Sequence, residues 1–217
     1  MRIVAISDTH SYHRDVIVPD GDLFVCCGDI TFRGELSIVE DFCNWMKDMP
    51  HRHKICIFGN HEVGMERGPK RDPAIKMIHD AGAHYLEDSG VEIEGLKCWG
   101  SPITKFFFDW EFNRHPGKDT QKHWCLIPED TALLFTHGQP YGINDLAPRG
   151  FGEFEHVGDT DLLARVKQLP KLKAYIGGHL HTPGGTQVVI DNVIYANAAI
   201  CTEQYKPTNK PIVIDLP

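Results

Sequence analysis

Short apolar runs rich in β-branched residues recur along the chain, at residues 3–6, 23–26, 54–58, 96–99, 132–135, 174–176, 188–190, 193–196 and 212–214. Their length and the polar or glycine residues that bound them predict at least nine buried strands. Two segments instead carry helical spacing: Val39, Phe42, Cys43 and Met46 share one face, and Leu162, Leu163, Val166 and Leu169 share another behind an opening at Asp159 and Thr160. A weaker helix is predicted after Pro73, around residues 75–79. The last apolar runs flank Asp191-Asn192, a hairpin signal. Strands that alternate with helices early and pair late predict an α/β fold of mixed sheets covered by helices. Residues 136–158 read as one long Gly/Pro-containing connection, a length that inside a compact domain marks a functional or disordered segment.

Composition narrows the class. The 217 residues suit one domain spanning 1–217, with 41% hydrophobic and 24% charged residues. No apolar run reaches the roughly 18 residues of a bilayer span, and the start lacks a signal-peptide core. A net charge of −8 disfavours an extended nucleic-acid surface but leaves room for a small phosphate-bearing ligand. The seven cysteines include no Cys-x-x-Cys pair, so a zinc ribbon and a thioredoxin-type site are disfavoured, and reduced, packed thiols in a cytoplasmic protein are expected. The unusual number is thirteen histidines.

Five of those histidines sit in polar clusters that follow predicted strands: Asp8-Thr9-His10, Gly28-Asp29, Gly59-Asn60-His61-Glu62, Thr136-His137-Gly138 and Gly178-His179-Leu180-His181. Each cluster alone reads as an ordinary turn, and short motif matches carry a high false-positive risk. Together they place carboxylates, an amide and imidazoles at the carboxyl ends of strands, which in open α/β sheets face a common crevice. Oxygen and nitrogen donors without thiolate suit borderline or hard divalent ions: Mn, Fe, Zn, Co or Ni.

This order of motifs resembles the calcineurin-like metallophosphoesterase superfamily. The segments Trp99-Gly100-Ser101-Pro102, residues 136–142 and residues 196–211 are similar to its metallophosphoesterase-domain-containing branch. The resemblance implies a four-layer α/β/β/α sandwich and a centre of two divalent transition ions, with manganese the leading choice. It assigns Asp8, His10, Asp29 and His181 to the first ion, and Asp29 as a bridge with Asn60, His137 and His179 to the second. His61 becomes the catalytic imidazole, and Glu62 the expected partner that fixes its ring. Arg33 has the spacing of a phosphate-contacting arginine in phosphoprotein phosphatases of the same superfamily; an exposed arginine at a helix start explains it equally well. His13 is expected on the surface, with substrate contact as the sharper alternative.

The implied function is a metal-dependent phosphodiesterase acting on small phosphate esters or nucleotides by attack of a dimetal-bridging hydroxide. A phosphomonoesterase or protein phosphatase on the same centre, and a non-catalytic scaffold of the same fold, are the alternatives. No membrane partner is expected, and a homo-oligomer is compatible with the sequence. Residues 105–112 hold five aromatics in eight positions. These either pack a core edge or subunit contact, or wall the active site and stack a nucleobase.

Overall fold

A computed structural model describes residues 1–217. The chain opens with β1 (Arg2–Ile6), β2 (Leu23–Cys27), α1 (Leu36–Lys47), β3 (His53–Ile57), α2 (Arg71–Asp80) and β4 (His84–Tyr85). Next come β5 (Ser89–Ile93), β6 (Leu96–Ser101), β7 (Thr104–Lys105), β8 (Asn113–Arg114), α3 (Lys118–Trp124) and β9 (Leu133–Thr136). It ends with β10 (Leu146–Gly150), β11 (Glu153–His156), α4 (Thr160–Val166), β12 (Ala174–Gly177), β13 (Thr186–Ile190), β14 (Val193–Asn197) and β15 (Ile212–Asp215). Two large mixed sheets result, ordered β15-β1-β2-β3-β4 and β13-β14-β12-β9-β6-β5. In both, the central strands are parallel: β1 to β4 in the first, and β14, β12, β9 and β6 in the second.

Period-two alternation explains why these strands lie between layers. Ile3, Ala5, Leu23, Val25, Ile55 and Ile57 of the first sheet cluster with Leu133, Phe135, Ala174 and Ile176 of the second, and form the inner core. The intervening residues Phe24, Cys26, Cys56, Leu134 and Tyr175 belong instead to the outer cluster, with Val39, Phe42 and Met46 of α1 and Leu162 and Val166 of α4. Burying a side chain of this size contributes roughly 1.5–3 kcal/mol, so apolar residues on both faces of each sheet favour the sandwich strongly. The expected four-layer arrangement of two mixed sheets flanked by helices is the one observed.

The helices follow their sequence signals with small shifts. Asp159 caps α4 by accepting hydrogen bonds from the N–H groups of Asp161 (2.7 Å) and Leu162 (3.2 Å). The predicted weak helix starts before Pro73, because a proline in the first turn has no intrahelical hydrogen bond to lose. The connection expected over residues 136–158 is not structureless: β10 and β11 form a hairpin within it. Six of the seven cysteines are buried, all seven are free, and Cys125 is exposed. No helix is long and apolar enough to cross a membrane.

One contact decides where the sheets meet. Beyond β1, Ser7 pairs with Ala199 beyond β14; its N–H donates to the Ala198 carbonyl (2.8 Å) and its carbonyl accepts from Ile200 (2.9 Å). The two sheets are therefore sewn together at the edge where the parallel strands end.

Candidate metal centre

Each parallel strand delivers its polar cluster to that seam. Asp8 and His10 follow β1, Asp29 follows β2, Asn60 and His61 follow β3, His137 follows β9, and His179 and His181 follow β12. Reaching it requires tight turns: Asp8, His10, Asp29 and His179 all adopt positive φ, between 41° and 67°. A left-handed residue with a side chain is disfavoured by roughly 1–2 kcal/mol, and strain of this kind concentrates at functional sites. The glycines are needed for space. A Cβ on Gly59 would lie 2.5 Å from the His137 ring and closer still to Asp29 Oδ1, and one on Gly178 would overlap Ser7 Oγ and Asp8 Oδ2.

The histidine tautomers are set from behind. The Nδ1 atoms of His10, His137 and His181 lie 3.2, 2.7 and 3.0 Å from the carbonyl oxygens of Thr31, Cys27 and Thr202. A carbonyl can only accept, so each Nδ1 carries a proton, and Nε2 is the atom left to bind metal once its ring is neutral. Those Nε2 atoms converge. His10 Nε2 is 3.2 Å from His181 Nε2, and His137 Nε2 is 3.0 Å from Asn60 Oδ1 and 3.2 Å from Asp29 Oδ2. His181 Nε2 is 3.4 Å from Asp8 Oδ1, a fully buried oxygen with no hydrogen-bond partner. The neutral His10 ring and the unpartnered Asp8 oxygen are buried acceptors with no hydrogen to share, and a cation would satisfy both. The residues present therefore fit bound metal.

Three groups have their donor atoms within 4.8 Å of one another: Asp8, His10 and His181; His10, Asp29 and His61; Asp29, His137 and His179. Asp29 links the second to the third. Its Oδ1 accepts the His61 N–H at 2.8 Å, while Oδ2 faces His137 at 3.2 Å and His10 at 3.9 Å.

The electrostatics separate the ligands. Burial drives the His10 and His179 imidazoles down to about 4, so both are neutral and ready to bind at pH 7. Burial opposes protonation of His137 too, but the adjacent Asp29 carboxylate prevails and raises that imidazole to about 10. Without metal, His137 and Asp29 thus form a buried ion pair, and a metal ion must displace the His137 proton. Titration calorimetry in buffers of different ionisation enthalpy should show about one proton released on filling this position, with affinity rising with pH up to about 10. A pH-independent affinity would contradict the pairing.

Two expectations, for Glu62 and His13, need correction. Glu62 does not touch the His61 ring: His61 Nδ1 donates to the Phe32 carbonyl at 2.8 Å. The buried Glu62 carboxylate instead accepts N–H groups from Asp29 (3.0 Å), Thr31 (3.0 Å) and Gly59 (2.7 Å), binding the β2 and β3 loops together. Burial and the Asp29 charge push its carboxyl up to about 8, against the pull of those N–H donors. Of the two readings of Arg33, the exposed arginine at a helix start matches the structure: its side chain makes no ion pair or hydrogen bond and does not line the cavity beside the centre. His13 is buried rather than on the surface, bonded to Asp41 at 2.9 Å and packed against Phe42 and Trp45.

A cavity of about 520 Å³ opens beside the cluster, lined on one side by Asp29, Asn60, His61, His179 and His181. It runs on past Phe106, Phe107, Trp124 and Leu162 to Pro148 and Glu155 of the hairpin. The aromatic run is divided: Phe106 and Phe107 wall the cavity, Phe112 is core, and Trp110 packs on His61 with ring centroids 4.2 Å apart. Tyr205, which had no sequence signal, lines the same cavity and stands edge-on to His10 at 4.9 Å.

Fold and site together define an α/β sandwich with a candidate metal centre built from loops of both sheets. The comparisons narrow the class. A family model described as calcineurin-like phosphoesterase matches residues 1–183. Metallophosphoesterase domain-containing protein 1 of Homo sapiens is 34% identical over 236 residues, covering 100% of this chain and 71% of that protein. A UPF0046 protein of Caenorhabditis elegans is 32% identical and covers 100% of this chain and 76% of its own length. The crystal structure of TT1561 of Thermus thermophilus superposes with a TM-score of 0.54 at 10% identity, over 89% of this chain and 87% of that one, a likeness of fold. The chain belongs to the calcineurin-like phosphoesterase family. Membership supports a metal-dependent phosphoric ester hydrolase and implies divalent ions, for which the His/Asp groups described above are the candidate ligands.

Proposed function

We propose that this protein hydrolyses small phosphodiesters, cyclic nucleotides among them, at a dinuclear centre. One ion is held by Asp8, His10, Asp29 and His181, and the other by Asp29, Asn60, His137 and His179. The observation that carries this reading is the convergence of histidine Nε2 atoms and carboxylate oxygens, the unpartnered Asp8 Oδ1 among them, at one buried seam. When bound, two divalent ions supply Lewis acidity, neutralising phosphoryl oxygens and making water a nucleophile near neutral pH. The all-oxygen-and-nitrogen donor set favours manganese or iron over thiophilic ions, and neutral Asn60 makes the second position the weaker one. Seven free cysteines suit a reducing compartment such as the cytoplasm.

The chain's own groups then have distinct tasks. Asp29 is shared between the two positions. His61, with its Nδ1 proton committed to the Phe32 carbonyl, presents Nε2 to the cavity, where in its protonated form it can donate to the departing alkoxide. Phe106, Phe107 and Trp124 offer an apolar wall to the organic part of the ester. A diester is favoured over a monoester because the cavity contains no arginine. Its only lysine, Lys105, already donates to the carbonyls of Val157 (3.1 Å) and Gly158 (3.5 Å), so nothing is preset to clamp a dianion.

Assaying mono-, di- and cyclic nucleotide phosphates with added Mn²⁺ tests the assignment. Turnover of diesters above monoesters supports it, and preference for monoesters favours the phosphatase alternative. Replacing His61 with alanine should lower turnover by roughly 10²-fold or more, the usual contribution of a general acid. Metal content, measured by elemental analysis, should stay that of the wild type. Loss of metal in that variant would instead make His61 a ligand.

A further inference from the structure

His61 is tethered at one atom only. Its Nδ1–H···O bond to Phe32 fixes where the ring sits but leaves the tilt of the ring to its neighbours. Two rings pack against it, His10 edge-on at 4.6 Å and Trp110 at 4.2 Å with 40° between the planes. Trp110 belongs to the irregular segment between β7 and β8, and unusual backbone flanks it: Phe108 and Phe112 both have positive φ, 57° and 56°. Left-handed backbone at bulky residues is retained only where the surroundings over-determine it.

The surroundings here are a reciprocal latch. The Glu111 carboxylate accepts N–H groups from Gly64 (3.0 Å) and Glu66 (3.1 Å) in the loop that follows His61. In return, the Glu66 carboxylate accepts the Phe112 N–H (2.7 Å) and pairs with the Arg114 guanidinium. Arg114 continues the chain through His123 to Asp88, whose carboxylate also takes the Ser101 hydroxyl at 2.6 Å. The loop carrying His61 and the loop carrying Trp110 therefore hold one another from both sides, and the end of β6 anchors the pair.

We propose that Trp110 is a positioning residue for the His61 imidazole, held against it by the Glu66–Glu111 latch. This rests on His61 being the proton donor proposed above. Errors of an ångström in a reacting group are costly in rate, and a proton donor matters most when the leaving group is a poor one.

The test compares two diesters in the Mn²⁺-loaded protein, one with an alkyl leaving group and one with 4-nitrophenolate, which departs without a proton. For Trp110→Ala, kcat on the alkyl diester relative to the nitrophenyl diester should fall roughly tenfold, part of the contribution of a general acid. KM should be nearly unchanged. Trp110→Phe should restore most of the ratio, and Glu111→Ala should lower it in the same direction. Independently of activity, a crystal structure of Trp110→Ala should show His61 in more than one rotamer. Equal losses on both esters, an effect confined to KM, or a single unchanged His61 rotamer would overturn the proposal. A wild-type protein inactive on every diester would sink the phosphodiesterase reading, and the rotamer result would still decide whether Trp110 positions His61.

Discussion

Replacing Asp29 with alanine should abolish the function of the centre while leaving the fold intact. Asp29 is the only carboxylate that joins two of the three donor groups, so on the proposed dinuclear centre its loss would affect both metal positions at once. Removing the charge stabilisation that two ions give a transition state forfeits several kcal/mol, on the order of 10³-fold in turnover. Bound metal should drop below one ion per chain by elemental analysis. The metal-free variant should fold but be less stable than the metal-free wild type, because the buried His137 imidazolium loses its carboxylate partner and the His61 N–H its acceptor. Two ions still bound, or turnover within tenfold of wild type, would show that the carboxylate is not shared.

Replacing Glu62 with alanine should have the reverse profile, an effect on the fold before any on the chemistry. The N–H groups of Asp29, Thr31 and Gly59 would lose their acceptor inside the protein, each at about 1–3 kcal/mol. The total is roughly 3–9 kcal/mol, a large part of the 5–15 kcal/mol typical of a whole domain. Chemical denaturation of the metal-free protein should show the midpoint falling accordingly. An unchanged midpoint would mean that water replaces the carboxylate. Asp29 stands at positive φ with its own N–H in this bond, so metal affinity should weaken as a secondary effect.

What the sequence disclosed follows the physics of burial. The central strands were legible because both faces of each are covered, which makes β1, β2, β3, β9 and β12 continuous apolar runs. Several peripheral elements were not: β5 reads Ser-Gly-Val-Glu-Ile, β10 and β11 are almost wholly exposed, and α3 has Trp124 as its one large apolar residue, while the edge strand β13 was found from its β-branched run but is exposed rather than buried. The residues brought together at the seam were legible for a related reason, since each lies just beyond one such strand. Their supports were not. The carbonyls of Thr31, Phe32, Cys27 and Thr202 that orient the rings carry no side-chain signature, and Trp110 and Tyr205 reach the site from distant loops. Glu62 was picked out by its place beside His61, yet neighbours in a turn point in different directions, and its carboxylate faces backbone amides.

The Ser7–Ala199 bridge also has a consequence for how the molecule comes apart. Asp8, Asp29 and Asn60 hang from the first sheet, and His137, His179 and His181 from the second, so ions held at the seam would act as bolts across an interface otherwise closed by apolar contact, a few hydrogen bonds and the Asp29–His137 pair. Separation of the sheets would then require releasing the ions first, and unfolding should become slower as well as less favourable in their presence. Amide hydrogen exchange should report this as protection gained together at the ends of β1, β2, β9 and β12, the rim of the sandwich most exposed to opening in the free protein.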